Sequence, residues 1–313
     1  MNNIIIEKYN SNKKIEWDNF VDNSKNGTFI LKRDYMDYHS DRFLDNSLMF
    51  YENDLLISVL PLSINGNILA SHGGLTYGGF ITNEKMKQVR MNKCFEALLE
   101  YAKQNKVERI IYKPIPYIYS KFPAQEDLYS LFINSAILIS RNISSTIDLK
   151  KIIKLPKGRK AQISRAKREQ VCVEESFDFE NFIKLENEVL AMYHNTKAVH
   201  TGNELNLLKS RFNDNIHLYI AKQNGDLIAG AVIFEFEDLV HTQYLASNEL
   251  GREIGALDLI ISMLIDKYQK NKKYFDFGIS NENNGYYLNE GLISQKESFG
   301  GRGVVYDCYE LEV

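Results

Sequence analysis

Two stretches of the chain carry the same pattern of apolar and polar positions. Leu48–Ile64, LMFYENDLLISVLPLSI, and Leu218–Phe236, LYIAKQNGDLIAGAVIFEF, each run β-rich residues into an Asn/Asp/Gly turn and out again, the sequence form of a two-stranded hairpin. The likeness continues downstream. After the first hairpin come a short strand at Asn67–Ala70, a loop, and a helix at Lys85–Gln104 with Met91, Phe95, Leu98, Leu99 and Ala102 at helical spacing. A strand at Arg109–Tyr112 follows. After the second hairpin come a strand at Leu239–Leu245, a loop, and a helix at Ile254–Lys270 with Leu257, Ile260, Ile261, Leu264 and Ile265 on one stripe. A strand at Tyr274–Phe277 follows. The same order twice predicts a tandem duplication of one α/β unit in which antiparallel strands lead into a helix and a neighbouring strand. The boundary is expected near Lys150, giving units at 1–150 and 151–313.

The joining segment, Leu149–Gln170, breaks at Pro156 and Gly158 and then reads as a basic helix, either a solvated linker or a basic wall for phosphates. In the second half, helices at Phe179–Tyr193 and Glu204–Phe212 precede the hairpin. A helical stretch at Leu292–Phe299 precedes a closing strand at Val304–Leu311. Composition fits two globular units: 313 residues, 44% hydrophobic and 25% charged. A formal charge of −3 argues against general attraction to polyanions and leaves room only for a local basic groove. Cys94, Cys172 and Cys308 are far apart and make no metal-binding spacing, which suits a reduced compartment. No export signal and no apolar run of membrane-spanning length is evident, so a soluble cytoplasmic chain is expected. HExxH, GxSxG and GxxxxGK[ST] patterns are absent, which removes metallohydrolase, serine hydrolase and nucleoside triphosphatase readings and leaves no expected metal.

The element order of the second half resembles that of a GNAT acyltransferase domain. In that family the loop before the crossover helix is similar to [Arg/Gln]-x-x-Gly-x-[Gly/Ala] and holds the coenzyme A pyrophosphate. Arg252, Gly255 and the neighbouring Gly251 and Ala256 stand at that place here, with Leu257 where the last small residue should be. Small residues at a helix start would bare amides and the positive dipole end to an anion, while the rival reading makes Gly251 a turn and Gly255 a packing contact. The C-terminal third resembles more closely the FemAB-like branch, built from two GNAT-type units. It carries Tyr274–Ser280, YFDFGIS, and Leu288–Leu311, LNEGLISQKESFGGRGVVYDCYEL, while the basic helix GRKAQISRAKREQ leads into the second unit's first strand. The subgroup it resembles comprises N-acetyltransferases of bacterial surface-polysaccharide loci. The resemblance implies an α/β (α+β) fold of two tandem GNAT-like units, with mixed, largely antiparallel sheets and flanking helices.

The candidate chemistry follows the second unit. His241 opens HTQY on the strand that lines the acyl group in a GNAT domain, and alternation groups His241, Gln243 and Leu245 on one face against Thr242, Tyr244 and Ala246. Histidine titrates in the range a general base needs, and a hydrogen-bonded core histidine is the alternative. The resemblance implies Tyr244 as the acid that reprotonates the leaving thiolate. Asp276 lies inside an apolar strand and must have partners, either as a locally satisfied carboxylate or in a catalytic or acceptor-binding role. Glu290 is a second base or a helix-start residue, and Lys296 joins the list of substrate-binding residues. The loop Met192–Leu205 offers His194, Lys197 and His200 for acceptor binding, although Thr201 and Glu204 also read as a helix cap. In the first unit, Ser71–Phe80 sets four glycines around His72 and Tyr77, either a ligand contact above the second unit's cleft or a turn-rich connection.

These residues lead to an expected acyltransferase that moves an acyl group from acetyl-CoA or another acyl-CoA to an amine. The subgroup implies an amino sugar of a surface glycan, as a small-molecule or nucleotide- or lipid-linked sugar acceptor held between the two units. FemAB-like relatives imply the rival donor, aminoacyl transfer RNA, with Lys157, Arg159, Lys160, Arg165, Lys167 and Arg168 on its phosphates. The slight net acidity and the lack of a long inserted helical arm weigh against RNA. A non-catalytic glycan- or partner-binding module is the third reading.

Overall fold

The computed structural model describes residues 4–194 and 196–313 and divides into two compact units. One comprises residues up to 142 with 281–287 and 305–313, and the other 143–280 with 288–304. Each unit is therefore discontinuous in the chain, whereas the repeat pattern suggests one crossing near Lys150.

The first unit holds β1 (Ile4–Lys8), α1 (Lys14–Asp22), α2 (Arg33–Met36), β2 (Leu48–Glu52), β3 (Leu55–Leu60), β4 (Ser63–Asn65) and β5 (Ile68–Ala70). β6 (Ile81–Thr82), α3 (Gln88–Gln104), β7 (Arg109–Tyr112) and α4 (Glu126–Ile133) follow. The β2–β3 hairpin turns through Asn53 and Asp54, both with positive φ, as a short polar turn requires. α3 buries Met91, Phe95, Leu98 and Ala102 of the expected stripe, with Cys94 beside them, against Phe50, Phe80 and Tyr112, while Leu99 is only partly buried.

The second unit begins within β8 (Ile137–Asp148), at Ile143, then runs through α5 (Lys157–Arg168), β9 (Cys172–Ser176), α6 (Phe179–His194), α7 (Gly202–Arg211), β10 (Ile216–Gln223), β11 (Asp226–Glu235) and β12 (Leu239–Ser247). α8 (Glu249–Ile254), α9 (Ala256–Tyr268) and β13 (Tyr274–Ile279) come next. The short strands β14 (Asn281–Glu282) and β15 (Tyr287–Leu288), α10 (Glu290–Ser298) and β16 (Arg302–Glu312) end the chain. The strand order is β8-β13-β12-β11-β10-β9, antiparallel except for the parallel β12–β13 pair that the α8–α9 crossover requires. In β16, Tyr309–Glu312 pair with β7 within the first unit.

Three expectations change. The single helix expected at Ile254–Lys270 is two, because Asn248 Oδ1 accepts the Gly251 N–H at 2.8 Å and starts a helix early, and Gly255, at φ 80°, ends it in the left-handed region. The segment Leu149–Gln170 becomes α5, whose Ile163 and Ala166 are buried in the unit's core with Ile260, Leu264 and Phe299, so it is a packed helix. β8 has no counterpart in the repeat pattern. Among the described residues, no helix is long and apolar enough to cross a membrane, and no group of three or more His, Cys, Asp or Glu side chains could hold a metal ion.

Candidate active site

β12 and β13 run parallel and pair at Leu239 with Tyr274, Val240 with Phe275 and His241 with Asp276, where their ladder ends. The last pair is chemical as well as geometric. His241 Nδ1 lies 2.8 Å from Asp276 Oδ2, while Asp276 Oδ1 accepts hydrogen bonds from Ser144 Oγ at 2.5 Å and Thr146 Oγ1 at 2.6 Å, both on β8. Strand alternation explains the grouping: Phe275 and Phe277 enter the core, so Asp276 turns to the other face, and Ser144 and Thr146 share a face at i, i+2. The carboxylate is fully buried. Burial pushes its pKa up, but the hydrogen bonds and charge from His241 and the two hydroxyls outweigh it and hold the group below the ordinary carboxylate value.

Lys296 of α10 closes the same corner. Its Nζ donates to the carbonyls of Gly278 at 2.9 Å and Ile279 at 2.6 Å. Burial lowers its pKa to about 8, against the attraction of Asp276. Gly278, with φ 75°, sits where a Cβ would stand 3.1 Å from the His241 ring, so the backbone beyond Asp276 approaches the imidazole closely.

A β-bulge changes which side chains accompany His241. Val232 faces Tyr244 and Ile233 faces Thr242, leaving Gln243 as the extra residue of β12. Val240 is buried in the same core that Leu245 packs against, which strict alternation forbids across an odd spacing. The expected grouping of His241 with Gln243 and Leu245 is therefore corrected: past the bulge, Tyr244 falls on the face of His241. Tyr244 Oη lies 2.7 Å from His200 Nδ1 and accepts the His200 N–H at 3.2 Å, so the strand and the loop before α7 meet through these two residues. Burial raises the Tyr244 pKa, which keeps it protonated at neutral pH. The loop ends in the anticipated capping box, with Glu204 N–H donating to Thr201 Oγ1 and Thr201 N–H to Glu204 Oε2. The His194 side chain lies outside the described residues, and Lys197 is exposed.

Where β12 leaves β13, a cavity of about 490 Å³ opens, lined by Leu245 and Ser247 of β12, Gly251 and Arg252 of α8, Leu257 and Asp258 of α9, and Arg159 of α5. Arg159 is fixed there by three contacts: Nε to Ser298 Oγ at 2.6 Å, Nη1 to Asp258 Oδ1 at 2.5 Å, and its guanidinium over the Phe299 ring at 4.6 Å. Arg252 Nε donates to the Ser247 carbonyl at 3.1 Å.

The glycines have other duties. The Gly251 amide is already used by Asn248, and a Cβ there would meet the Ile228 carbonyl at 2.4 Å. A Cβ on Gly255 would meet the Gln162 carbonyl at 2.7 Å, and Ala256 is fully buried. These small residues let α8 and α9 pack onto β11 and α5, and the bare amide seat expected from Gly251, Gly255 and Ala256 reduces to the first turn of α9, which no side chain caps. Glu290 is exposed in the first turn of α10, where the dipole favours it. His72 and Tyr77 lie in the interior of the first unit, His72 beside His39 and Phe43 and Tyr77 bonded to Thr28 at 3.1 Å. Burial takes the His72 pKa down to about 3, so it stays neutral.

Sequence reasoning flagged His241, Asp276 and Lys296 singly and missed Ser144 and Thr146. The signal was the polar i, i+2 pair in ISSTI, between apolar residues of a strand that the repeat pattern omits.

No family model matches the sequence, and no curated protein matches it. Solved structures do match its fold. FemX is similar over 98% of this chain and 97% of that one, with a TM-score of 0.70 at 11% identity. L-PGS from Bacillus licheniformis matches over 97% and 92%, with a TM-score of 0.63 at 15% identity. A tandem GNAT protein from the clavulanic acid biosynthesis pathway matches over 99% and 98%, with a TM-score of 0.54 at 9% identity. The chain has the tandem GNAT-type fold of the FemAB-like proteins.

Proposed function

We propose that the second unit transfers an acyl group from an acyl-coenzyme A to an amine. One observation carries the reading: parallel strands that part directly after a carboxylate-held histidine, with a cavity flanked by two arginines at the open end. A strand released from its ladder offers backbone donors and acceptors along one edge, the groups that can hold an extended amide-containing chain and a thioester carbonyl. Arg159, Arg252 and the uncapped first turn of α9 are the groups that would meet phosphates.

In the proposed reaction the amine nitrogen attacks the thioester carbon, and the new C–N bond forms as the C–S bond breaks. The proton on nitrogen passes to His241 Nε2, and the thiolate leaves as the thiol after taking a proton, with the Tyr244 hydroxyl as the proposed acid. Asp276 fixes the imidazole with its proton on Nδ1 and stabilises the imidazolium once formed, so its role is positioning. Lys296 pins the Gly278–Ile279 backbone beside the imidazole. Glu290, exposed at the start of α10, is the alternative base through water. The proposed acceptor is an amino sugar, free or carried on a nucleotide or lipid, in surface glycan synthesis in the cytoplasm.

Aminoacyl transfer RNA is the second donor reading, and one observation favours it: the two glycines best suited to a diphosphate are taken up by Asn248 and by the Gln162 carbonyl. A thermal-shift series with coenzyme A, acetyl-coenzyme A and transfer RNA separates the two, since a ligand that binds the native state raises the midpoint. A shift with either coenzyme A species and none with RNA supports the first reading, and the reverse pattern replaces it with the second.

A further inference from the structure

Along one side of α6, Phe182, Glu186 and Val189 fall at i, i+4 and i+7. Phe182 is fully buried against β11, where a Cβ on Gly230 would come within 2.6 Å of its ring. Val189 lines the cavity at the end of β12. Between them Glu186 is only 6% exposed, and its Oε2 is buried without a hydrogen-bond partner. Among the described residues it makes no ion pair. Lys209, on the neighbouring α7, has its ammonium committed to the Asn213 carbonyl and the Phe177 ring. Burial alone pushes the Glu186 carboxyl up to about 7. A negative charge on Glu186 adds to the burial that keeps the Tyr244 hydroxyl protonated, on the face of β12 that carries His241.

A buried carboxylate oxygen left without a donor costs about 1–3 kcal/mol or more, and buried polar side chains without partners are uncommon. A purely structural glutamate would be expected to find a donor within the fold. Here its neighbours along that side of α6 are Phe182 and Val189, which have no side-chain donor to give.

We propose that Glu186 receives the acceptor amine as its ammonium ion, which releases one proton to water before the free amine attacks, and so selects amines over alcohols, with the Tyr244 hydroxyl as the second contact. The assignment rests on the reading that the acceptor is an amine. It makes Glu186 a specificity residue of the acceptor side, distinct from His241, which takes the proton during attack.

The test compares the wild type with E186Q and E186D in thermal-shift measurements with glucosamine, N-acetylglucosamine and coenzyme A. The two sugars differ only at the C2 nitrogen, an ammonium in glucosamine and a neutral acetamide in N-acetylglucosamine. Relieved of an unpaired buried acid, free E186Q should melt about 2 °C or more above the wild type. Glucosamine should raise the wild-type midpoint while N-acetylglucosamine does not, and E186Q should lose that response and E186D keep it. Coenzyme A should shift all three proteins equally. A glucosamine shift that survives in E186Q, or a wild type that responds to coenzyme A but shows no ammonium-dependent shift, overturns the assignment and spares the donor reading. A wild type that responds to neither compound overturns both.

Discussion

Asp276→Asn is the sharpest single perturbation of the proposed chemistry, because it changes charge and keeps shape. Asp276 accepts hydrogen bonds from Ser144, Thr146 and the His241 ring, at 2.5, 2.6 and 2.8 Å. An asparagine can keep its carbonyl oxygen toward the two hydroxyls, which leaves its NH₂ facing His241 Nδ1. The imidazole must then accept at Nδ1 and carry its proton on Nε2, where the proposed base needs a lone pair. The imidazolium also loses its counter-charge. Removing a positioned general base costs about 100-fold or more in kcat/KM, or about 2.7 kcal/mol of transition-state stabilisation. Stability should fall less than three charge-assisted bonds of about 1.5–3 kcal/mol each would suggest, since a neutral amide also escapes the desolvation of the buried carboxylate. A net loss of about 2 kcal/mol is expected. The assay is thiol release from acetyl-coenzyme A with a responsive amine across pH 5.5–9, beside a urea midpoint. A variant retaining more than a third of wild-type kcat/KM with an unchanged pH profile would refute the role of Asp276 in positioning His241.

Lys296→Met should flatten the alkaline stability profile: the native lysine, with its pKa lowered to about 8, binds fewer protons than the unfolded chain up to about 10.5, so wild-type stability rises with pH through that window, by on the order of 3 kcal/mol. Urea midpoints at pH 7.5 and 10 check this. Wild-type stability should also fall as pH drops through the depressed Asp276 pKa, below the ordinary carboxylate range, and D276N should lose that dependence. Gly255→Ala should destabilise by about 2–4 kcal/mol in denaturant titration, because it forces a left-handed alanine and a Cβ 2.7 Å from the Gln162 carbonyl. Arg252→Ala should weaken coenzyme A binding about 10-fold in calorimetry, with a shallower salt dependence and little change in the free protein's midpoint.

Much of the fold was legible because its signals are periodic. The two hairpins, α3, the stripe of α9 and the capping box at Thr201 each follow from spacing or cap chemistry within a few residues. The parts that were not legible depend on contacts distant in sequence. Nothing local in HTQY and YFDFG announces that His241 and Asp276 face each other, since their pairing is set by the register of parallel strands joined through two helices. The bulge at Gln243 is a one-residue slip, invisible to alternation, and it decides that Tyr244 accompanies His241. Gly251 and Gly255 looked like phosphate-loop glycines, because a small residue that admits an anion and one that admits a neighbouring carbonyl are the same letter. Glu186 did leave a trace, as an acid on an otherwise apolar side of α6. The division into units was hidden because its boundaries fall inside continuous strands, at residues 142/143 in β8 and 304/305 in β16.

The most direct measurement is a crystal structure of the protein with acetyl-coenzyme A. The proposed mechanism predicts the pantetheine arm lying along β12 beyond His241, the thioester carbonyl against the strand's backbone and the phosphates against Arg159 and Arg252. Donor bound elsewhere, or the cavity filled by Arg159 and Asp258 with no donor at all under saturating ligand, would contradict it.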